Sequence, residues 1–348
     1  MSKSSAGRFF EDFGPGEEIE HPTARTVTAG DQALYTALTG SRFALHQSDV
    51  VARSLGYPAA PLDDLLVFHI AFGRTVADVS LNAVANLGYA ECRFLNPVVV
   101  GDSISATSTV IGLKENSNGR TGTVHVRTRA QNQRGETVVE FVRWVMVNKR
   151  GGTTVPALAP PTLGEAVAPV ATTPPPIVLT ADAAELACGG SRHRFDDFAV
   201  GERIDHVDGV TVEEAEHMLA TRLYQNSARV HFNAQAEAAG RFGRRIVYGG
   251  HVMSLARALS FNGLASAFRL AAINGGRHVA PVFGGSTVYA WSEVRAKADA
   301  AGRTDVGLLR LSTFATKDLP SEGCPNEPAT ADRPGIVLEL DYWAFVPR

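Results

Sequence analysis

Two stretches lying 185 residues apart spell nearly the same line, and this repeat constrains the fold more than any single motif. Residues 10–21 read Phe-Glu-Asp-Phe-Gly-Pro-Gly-Glu-Glu-Ile-Glu-His, and residues 195–206 read Phe-Asp-Asp-Phe-Ala-Val-Gly-Glu-Arg-Ile-Asp-His. The same offset carries Thr26-Val27 onto Thr211-Val212 and His46 onto His231. One residue less carries Asn96-Pro97-Val98 onto Ala280-Pro281-Val282. Each half closes on a tryptophan-bearing apolar run, Phe141-Val142-Arg143-Trp144-Val145 and Leu340-Asp341-Tyr342-Trp343-Ala344. A fixed offset over such odd strings reads as duplication of one domain. The 348 residues are long for one hydrophobic core and comfortable for two.

Residues 1–150 and 191–348 therefore read as two copies of one domain, with residues 151–190 as a linker. That segment holds Gly151-Gly152, Pro156, Pro160-Pro161, Pro169 and Pro174-Pro175-Pro176. Proline at this density removes amide donors and disfavours helix, which predicts an extended surface connector. Ala181–Cys188 is long enough for one or two helical turns.

Each half shows the same order of elements. A helical stretch, Ala29–Leu38 or Val212–Tyr224, carries acids near its start, where the helix dipole favours them. An irregular polar segment follows, then a second helix. In the second half this helix spans 250–261, with Val252, Leu255, Ala256 and Leu259 at helical spacing. Strands close each half, and residues 124–130 alternate apolar with polar as a half-buried antiparallel strand does. The order predicts an α+β domain in which a sheet wraps a helix.

Several classes of function are disfavoured. The net charge of −3 offers no electrostatic reason to bind nucleic acid or an anionic membrane. Cys92, Cys188 and Cys324 are odd in number and lack metal spacing, so neither a disulfide framework nor a metal site is expected. No apolar leader or spanning run is present, and cytoplasm is the default location.

The most polar stretch is Tyr224-Gln225-Asn226-Ser227-Ala228-Arg229-Val230-His231, continued by Arg244-Arg245-Ile246-Val247-Tyr248-Gly249-Gly250-His251. A lone histidine is most often a hydrogen-bonded core residue. Here its surroundings point to chemistry. An imidazole takes a proton from water near neutral pH and returns it. An amide such as Asn226 can hold that water. Glycines opening a helix, Gly249 and Gly250, present backbone N–H groups to an oxygen gaining negative charge. Arg229, Arg244 and Arg245 lie in the same segment, and a guanidinium can grip a carboxylate through two parallel hydrogen bonds.

These residues resemble the motif of the MaoC-like, (R)-specific enoyl-CoA hydratases, Gly-Asp-x-Asn-Pro-(Leu/Ile)-His followed by Phe and Ile-Val-His-Gly. His231 falls on the motif histidine, Phe242 on the phenylalanine, Ile246-Val247 on Ile-Val, Tyr248 on the second histidine and Gly249 on the oxyanion-hole glycine. The motif aspartate falls on Asn226, and Asn-Pro on Ala228-Arg229. The resemblance implies a double hot-dog fold and reversible hydration of an enoyl-CoA. His231, Asn226 and Gly249 would be catalytic, and Arg229, Arg245, Tyr248 and Gly250 would contact substrate. Over the whole chain the likeness is narrower, to hydratases of that family whose methyl-branched substrate ends in a carboxylate. It rests on Phe9-Phe10-Glu11-Asp12-Phe13, Gly40-Ser41-Arg42-Phe43, Leu65-Leu66-Val67-Phe68-His69, residues 143–147, 223–232 and 240–251, and Ser260-Phe261-Asn262-Gly263. Arg229, two residues from His231, is the preferred receptor of that carboxylate. The coenzyme A thioester is substrate, no further cofactor is implied, and pairing into a homodimer is expected.

In the first half, Ser41 stands five residues before His46, and Asp64 eighteen after it, where the oxyanion donor belongs. A carboxylate there would repel developing negative charge, so His46 is expected to be structural. The resemblance gives this half a role in holding coenzyme A. Two rival readings remain open: a hot-dog thioesterase, and a non-catalytic acyl-CoA-binding protein.

Overall fold

The computed structural model describes residues 3–151 and 155–348; Met1, Ser2 and residues 152–154, which include Gly152 of the linker, lie outside it. The first half contributes β1 (Glu18–Thr26), β2 (Ala83–Phe94), β3 (Ser103–Glu115), β4 (Thr121–Gln131) and β5 (Thr137–Asn148). The second contributes β6 (Arg203–Thr211), β7 (Arg269–His278), β8 (Thr287–Asp299), β9 (Val306–Lys317) and β10 (Gly335–Pro347). All pair antiparallel in one ten-stranded sheet, in the order β1-β3-β4-β5-β2-β7-β10-β9-β8-β6. Each half repeats the other's order, and the halves join where β2 pairs with β7, Tyr89 opposite Gly276. A side chain at Gly276 would have its β-carbon 2.1 Å from the Tyr89 ring, so this position has room for hydrogen only.

A central helix lies in each half, Asp64–Thr75 in the first and Gly249–Leu259 in the second. The first is buried at every position except Arg74, because sheet and second half cover all its faces. Phe68 and Phe72 pack on Phe141 of β5, whose alternation turns Phe141, Arg143, Val145 and Val147 to one side. Burying each such phenylalanine contributes about 2–3 kcal/mol. The two helices meet at His69 and Ser254, whose side chains hydrogen-bond at 2.9 Å. These positions are 185 residues apart, so the repeat's own axis passes between them.

The duplication is visible bond by bond. His21 bonds to Ser108 and Ser108 to Thr128; His206 bonds to Ser292 and Ser292 to Thr313. Leu62 N–H donates to the Val98 carbonyl, and Val247 N–H to that of Val282, each at 2.8 Å. The first helix of each half runs Ala29–Thr39 and Glu214–Leu223, and β4 buries Val124, Val126, Thr128 and Ala130 while turning the residues between them outward, as their alternation predicts.

The linker departs from a plain surface connector. Val167, Leu179, Ala183 and Ala187 are buried in a cluster with Leu45, Leu55, Phe268, Trp343 and Phe345. The Val167 carbonyl accepts from the Trp343 indole at 3.0 Å, and its N–H donates to Asn274 at 2.9 Å. The segment is a docked strap tying both halves, and its helix spans Ala181–Ala187. Among the described residues no helix is long and apolar enough to cross a membrane.

Candidate active site

The polar stretch is held in place by its own backbone. Tyr224 ends the preceding helix, Gln225 turns the chain with a φ of 54°, and the Asn226 side-chain oxygen accepts the Ala228 N–H at 2.9 Å. This short turn is one that asparagine makes readily. A single 3-10 turn, Arg229–His231, then delivers His231 into the interior. Its Nδ1 lies 3.0 Å from the Ile246 carbonyl. A carbonyl only accepts, so Nδ1 carries the proton and Nε2 presents a bare lone pair. Burial pulls the pKa of the ring down to about 4, partly offset by that carbonyl, so it is neutral at physiological pH.

The second central helix begins beside this ring. Its N-cap, Tyr248, provides no side-chain acceptor, and His251 and Val252 return their N–H groups to the Tyr248 carbonyl. The amides of Gly249 and Gly250 are left without intrahelical acceptors at the positive end of the helix. Both positions are crowded. A β-carbon at Gly249 would come within 2.5 Å of the His278 ring, and one at Gly250 within 2.4 Å of Tyr248 and 2.6 Å of His69. Tyr248 is buried among His231, His69, Tyr224 and Phe72, with ring centroids 5.5, 5.6, 5.8 and 5.9 Å away. Burial pushes its hydroxyl well above the usual range, so it stays protonated and can donate.

The arginines of the segment separate. Arg245 is engaged with Glu214, with Met218 Sδ and with the Phe232 carbonyl. Arg244 lies over the Phe283 ring at 3.8 Å and borders an open cleft of about 330 Å³ shared with Lys317 and Arg333. Arg229 is exposed, and its side chain has no partner among the described residues.

Two site residues come from outside the motif. His278 ends β7 beside Gly249, and its Nε2 is 3.2 Å from the hydroxyl of Tyr89 on β2. That hydroxyl also lies 2.9 Å from Met253 Sδ on the second central helix. The repeat held a signal for His278, because the matching strand position in the first half is Phe94. An imidazole where the other copy keeps an apolar ring is a departure from the repeat beside the helix start. Among the described residues no group of three His, Cys, Asp or Glu side chains could hold a metal.

The first half keeps the same frame. His46 Nδ1 lies 3.2 Å from the Pro61 carbonyl, the counterpart of Ile246. Its Nε2 faces Asp64 Oδ2 at 3.7 Å. Asp64 also approaches Arg269 at 3.9 Å and accepts the Leu270 N–H at 3.1 Å, so the oxyanion position is filled by an internal carboxylate.

The family described as MaoC like domain matches residues 12–133, within the half whose helix start carries Asp63 and Asp64. The chain is 56% identical to the β-methylmalyl-CoA dehydratase of Chloroflexus aurantiacus, over 100% of this chain and 99% of that protein. It is also 56% identical to the mesaconyl-CoA hydratase of Cereibacter sphaeroides, over 99% and 100%. A crystal structure of a MaoC domain protein dehydratase from Chloroflexus aurantiacus superposes with a TM-score of 0.95 at 55% identity, covering 100% of this chain and 99% of that one. A Mycobacterium tuberculosis protein with a double hotdog fold gives a TM-score of 0.73 at 24% identity, covering 99% of each chain, and supports the fold. The chain is a double hot-dog protein and belongs to the MaoC-like family of hydratases and dehydratases, acting as a hydro-lyase.

Proposed function

We propose that this enzyme reversibly hydrates mesaconyl-CoA (2-methylfumaryl-CoA) to β-methylmalyl-CoA. Full-length likeness to two proteins bearing those names supports the substrate. The observation that carries the chemistry is the bare Nε2 of a buried, neutral His231 beside an uncapped helix start.

His231 takes a proton from water as the oxygen attacks C3. The C2–C3 π electrons move toward the thioester, whose oxygen gains enolate character and is met by the Gly249 N–H. The enolate collapses and C2 takes a proton from the imidazolium, which restores the neutral base. Asn226 positions the water with its side-chain nitrogen while its oxygen stays on Ala228. Gly250 supplies the next free amide of the same helix end, and Tyr248 walls the acyl group. The cleft bordered by Arg244, Lys317 and Arg333 also carries Asp318 and Asp332, so only its small cationic excess would meet the coenzyme A phosphates, a task that the family resemblance gives to the first half.

The test is to incubate the protein with mesaconyl-CoA, follow the loss of enoyl absorbance and identify the product by mass. His231→Ala should lower turnover about 10³-fold, the scale of a lost acid–base group. Release of free thiol would make the protein a thioesterase. Retained absorbance and intact thioester would sink the enzymatic assignment.

A further inference from the structure

The substrate assigned above carries a second carboxylate one bond from C3, the carbon that receives water. A group that recognises it must therefore border the base. Exposed Arg229 is solvated, and a charge in water is screened and selects weakly.

A different arginine is poorly satisfied. Arg143 on β5 is 0% exposed, its guanidinium lies 4.3 Å over the Phe72 ring, and it joins no ion pair among the described residues. One of its nitrogens makes long bonds of 3.4 Å to the Thr75 carbonyl and to Ser80, while Nε and the other terminal nitrogen have no partner at all. A desolvated cation with open donors is costly unless something completes it. Phe72 packs on Tyr248, Tyr248 packs on His231, and the Tyr248 hydroxyl lies within electrostatic reach of the Arg143 guanidinium. Burial draws the pKa of Arg143 down to about 9, which leaves it charged at neutral pH.

The other half shows what completes such an arginine. Phe72 has Arg257 as its repeat counterpart, and the strand position of Arg143 is taken by Tyr342, over whose ring Arg257 stands 5.8 Å away. There, too, an arginine is buried beneath the helices, with cation and ring exchanged between helix and strand. Arg257, however, bonds to Ser260 and to the Ala267 carbonyl, and both Asp63 and Asp64 lie within its electrostatic reach. The counterparts of Asp63 and Asp64 are Tyr248 and Gly249. The site that holds Asp63 and Asp64 has a satisfied arginine, lent by the second half, and the site without internal carboxylates has a bare one, lent by the first.

Resting on the hydratase reading, we propose that Arg143, with the Tyr248 hydroxyl, receives the distal carboxylate of the acyl group and sets the preference for dicarboxylic thioesters. The substrate carboxylate would stand beside Arg143 as Asp63 and Asp64 stand near Arg257 at the other site.

The test compares kcat/KM for mesaconyl-CoA with that for crotonyl-CoA, which lacks the carboxylate, in the full chain. Arg143→Met should lower that ratio about 100-fold, the scale of a lost desolvated charge pair, and Arg143→Lys should recover part of it. If Arg143→Met does not fold, Tyr248→Phe removes only the hydroxyl and should lower the ratio about 10-fold. A ratio unmoved in folded Arg143→Lys and Tyr248→Phe overturns the assignment, as does a parallel fall for both substrates. A ratio that instead collapses in Arg229→Ala also overturns it. Binding separates this idea from the hydratase reading. Even if wild type turns over neither thioester, succinyl-CoA should bind more tightly than butyryl-CoA, and Arg143→Lys should narrow the gap. Equal affinities in wild type would refute the carboxylate site on their own.

Discussion

The two halves hold the same histidine by the same bond and differ in what faces it. His46 donates to Pro61 and His231 to Ile246, at 3.2 and 3.0 Å. Across from His46 the helix start is closed: the Asp63 side chain accepts the Leu65 N–H at 3.0 Å, and Asp64 occupies the oxyanion position. Across from His231 the counterparts are Tyr248 and Gly249, the counterpart of Leu65 is Gly250, and the helix amides are open. A histidine in position is therefore cheap to keep, because its anchor is a backbone carbonyl set by the fold. Among the differences between the two sites, two residues at a helix N-terminus decide whether anionic charge is built in or awaited.

The largest effect should come from imposing the first half's choice on the second. Gly249→Asp places a carboxylate where the thioester oxygen gains charge, and turnover should fall at least 10²–10³-fold, the scale of a lost oxyanion donor. The added β-carbon also presses on the His278 ring, so Gly249→Ala is the steric control. Activity lost equally in both variants would assign the damage to crowding and break the electrostatic side of the comparison.

The converse change tests whether Asp64 serves the fold. Burial raises its pKa despite the attraction of His46 and Arg269. Desolvation thus outweighs the pairing, and removing only the charge should be mild. Asp64→Asn should cost about 1 kcal/mol, whereas Asp64→Ala, which also strips the Leu270 N–H of its acceptor, should cost about 3 kcal/mol. Urea unfolding measures both, and turnover per folded molecule should stay as it was. A loss of turnover matching that of Gly249→Asp would show that the first half shares in catalysis.

How much of this was legible in the sequence follows contact range. The 185-residue offset carried the architecture, and with it His46, His231 and the contrast of Asp64 with Gly249, because each lies within one continuous motif. The strap's proline content predicts a surface connector, because its burial depends on Trp343 and Asn274, more than a hundred residues away. Tyr89, His278 and Arg143 reach the site only through the β2–β7 junction and the helix contacts across it. Arg143 did leave a local trace: a charge in an apolar strand, two residues from Phe141 and from Val145, falls on the inward face. Without knowing which helix covers that face, the trace could not be tied to the chemistry. Arg245 shows the opposite limit, since its neighbours in sequence suggested substrate while the fold gives it to Glu214.

The smallest predicted effect concerns Asn226, which stands where the family motif has aspartate. Its counterpart Ser41 donates to Asp63 at 3.3 Å, so the first half does place a carboxylate in this region. In the second half burial dominates His231 and holds its pKa near 4. The protonated ring cannot accept a proton from water, so hydration should be constant at neutral pH and fall as pH drops through about 4. A carboxylate nearby favours the charged imidazole. Asn226→Asp should therefore raise the His231 pKa and move the acid limb of kcat/KM upward by about one pH unit. Turnover at pH 8 should change by less than about 10-fold, because Asp keeps the acceptor for Ala228 and loses only the donor nitrogen. Circular dichroism at each pH separates this limb from acid unfolding. A limb that stays in place would put the residue 226 side chain outside the field of His231, and the water-holding role of Asn226 would fall with it.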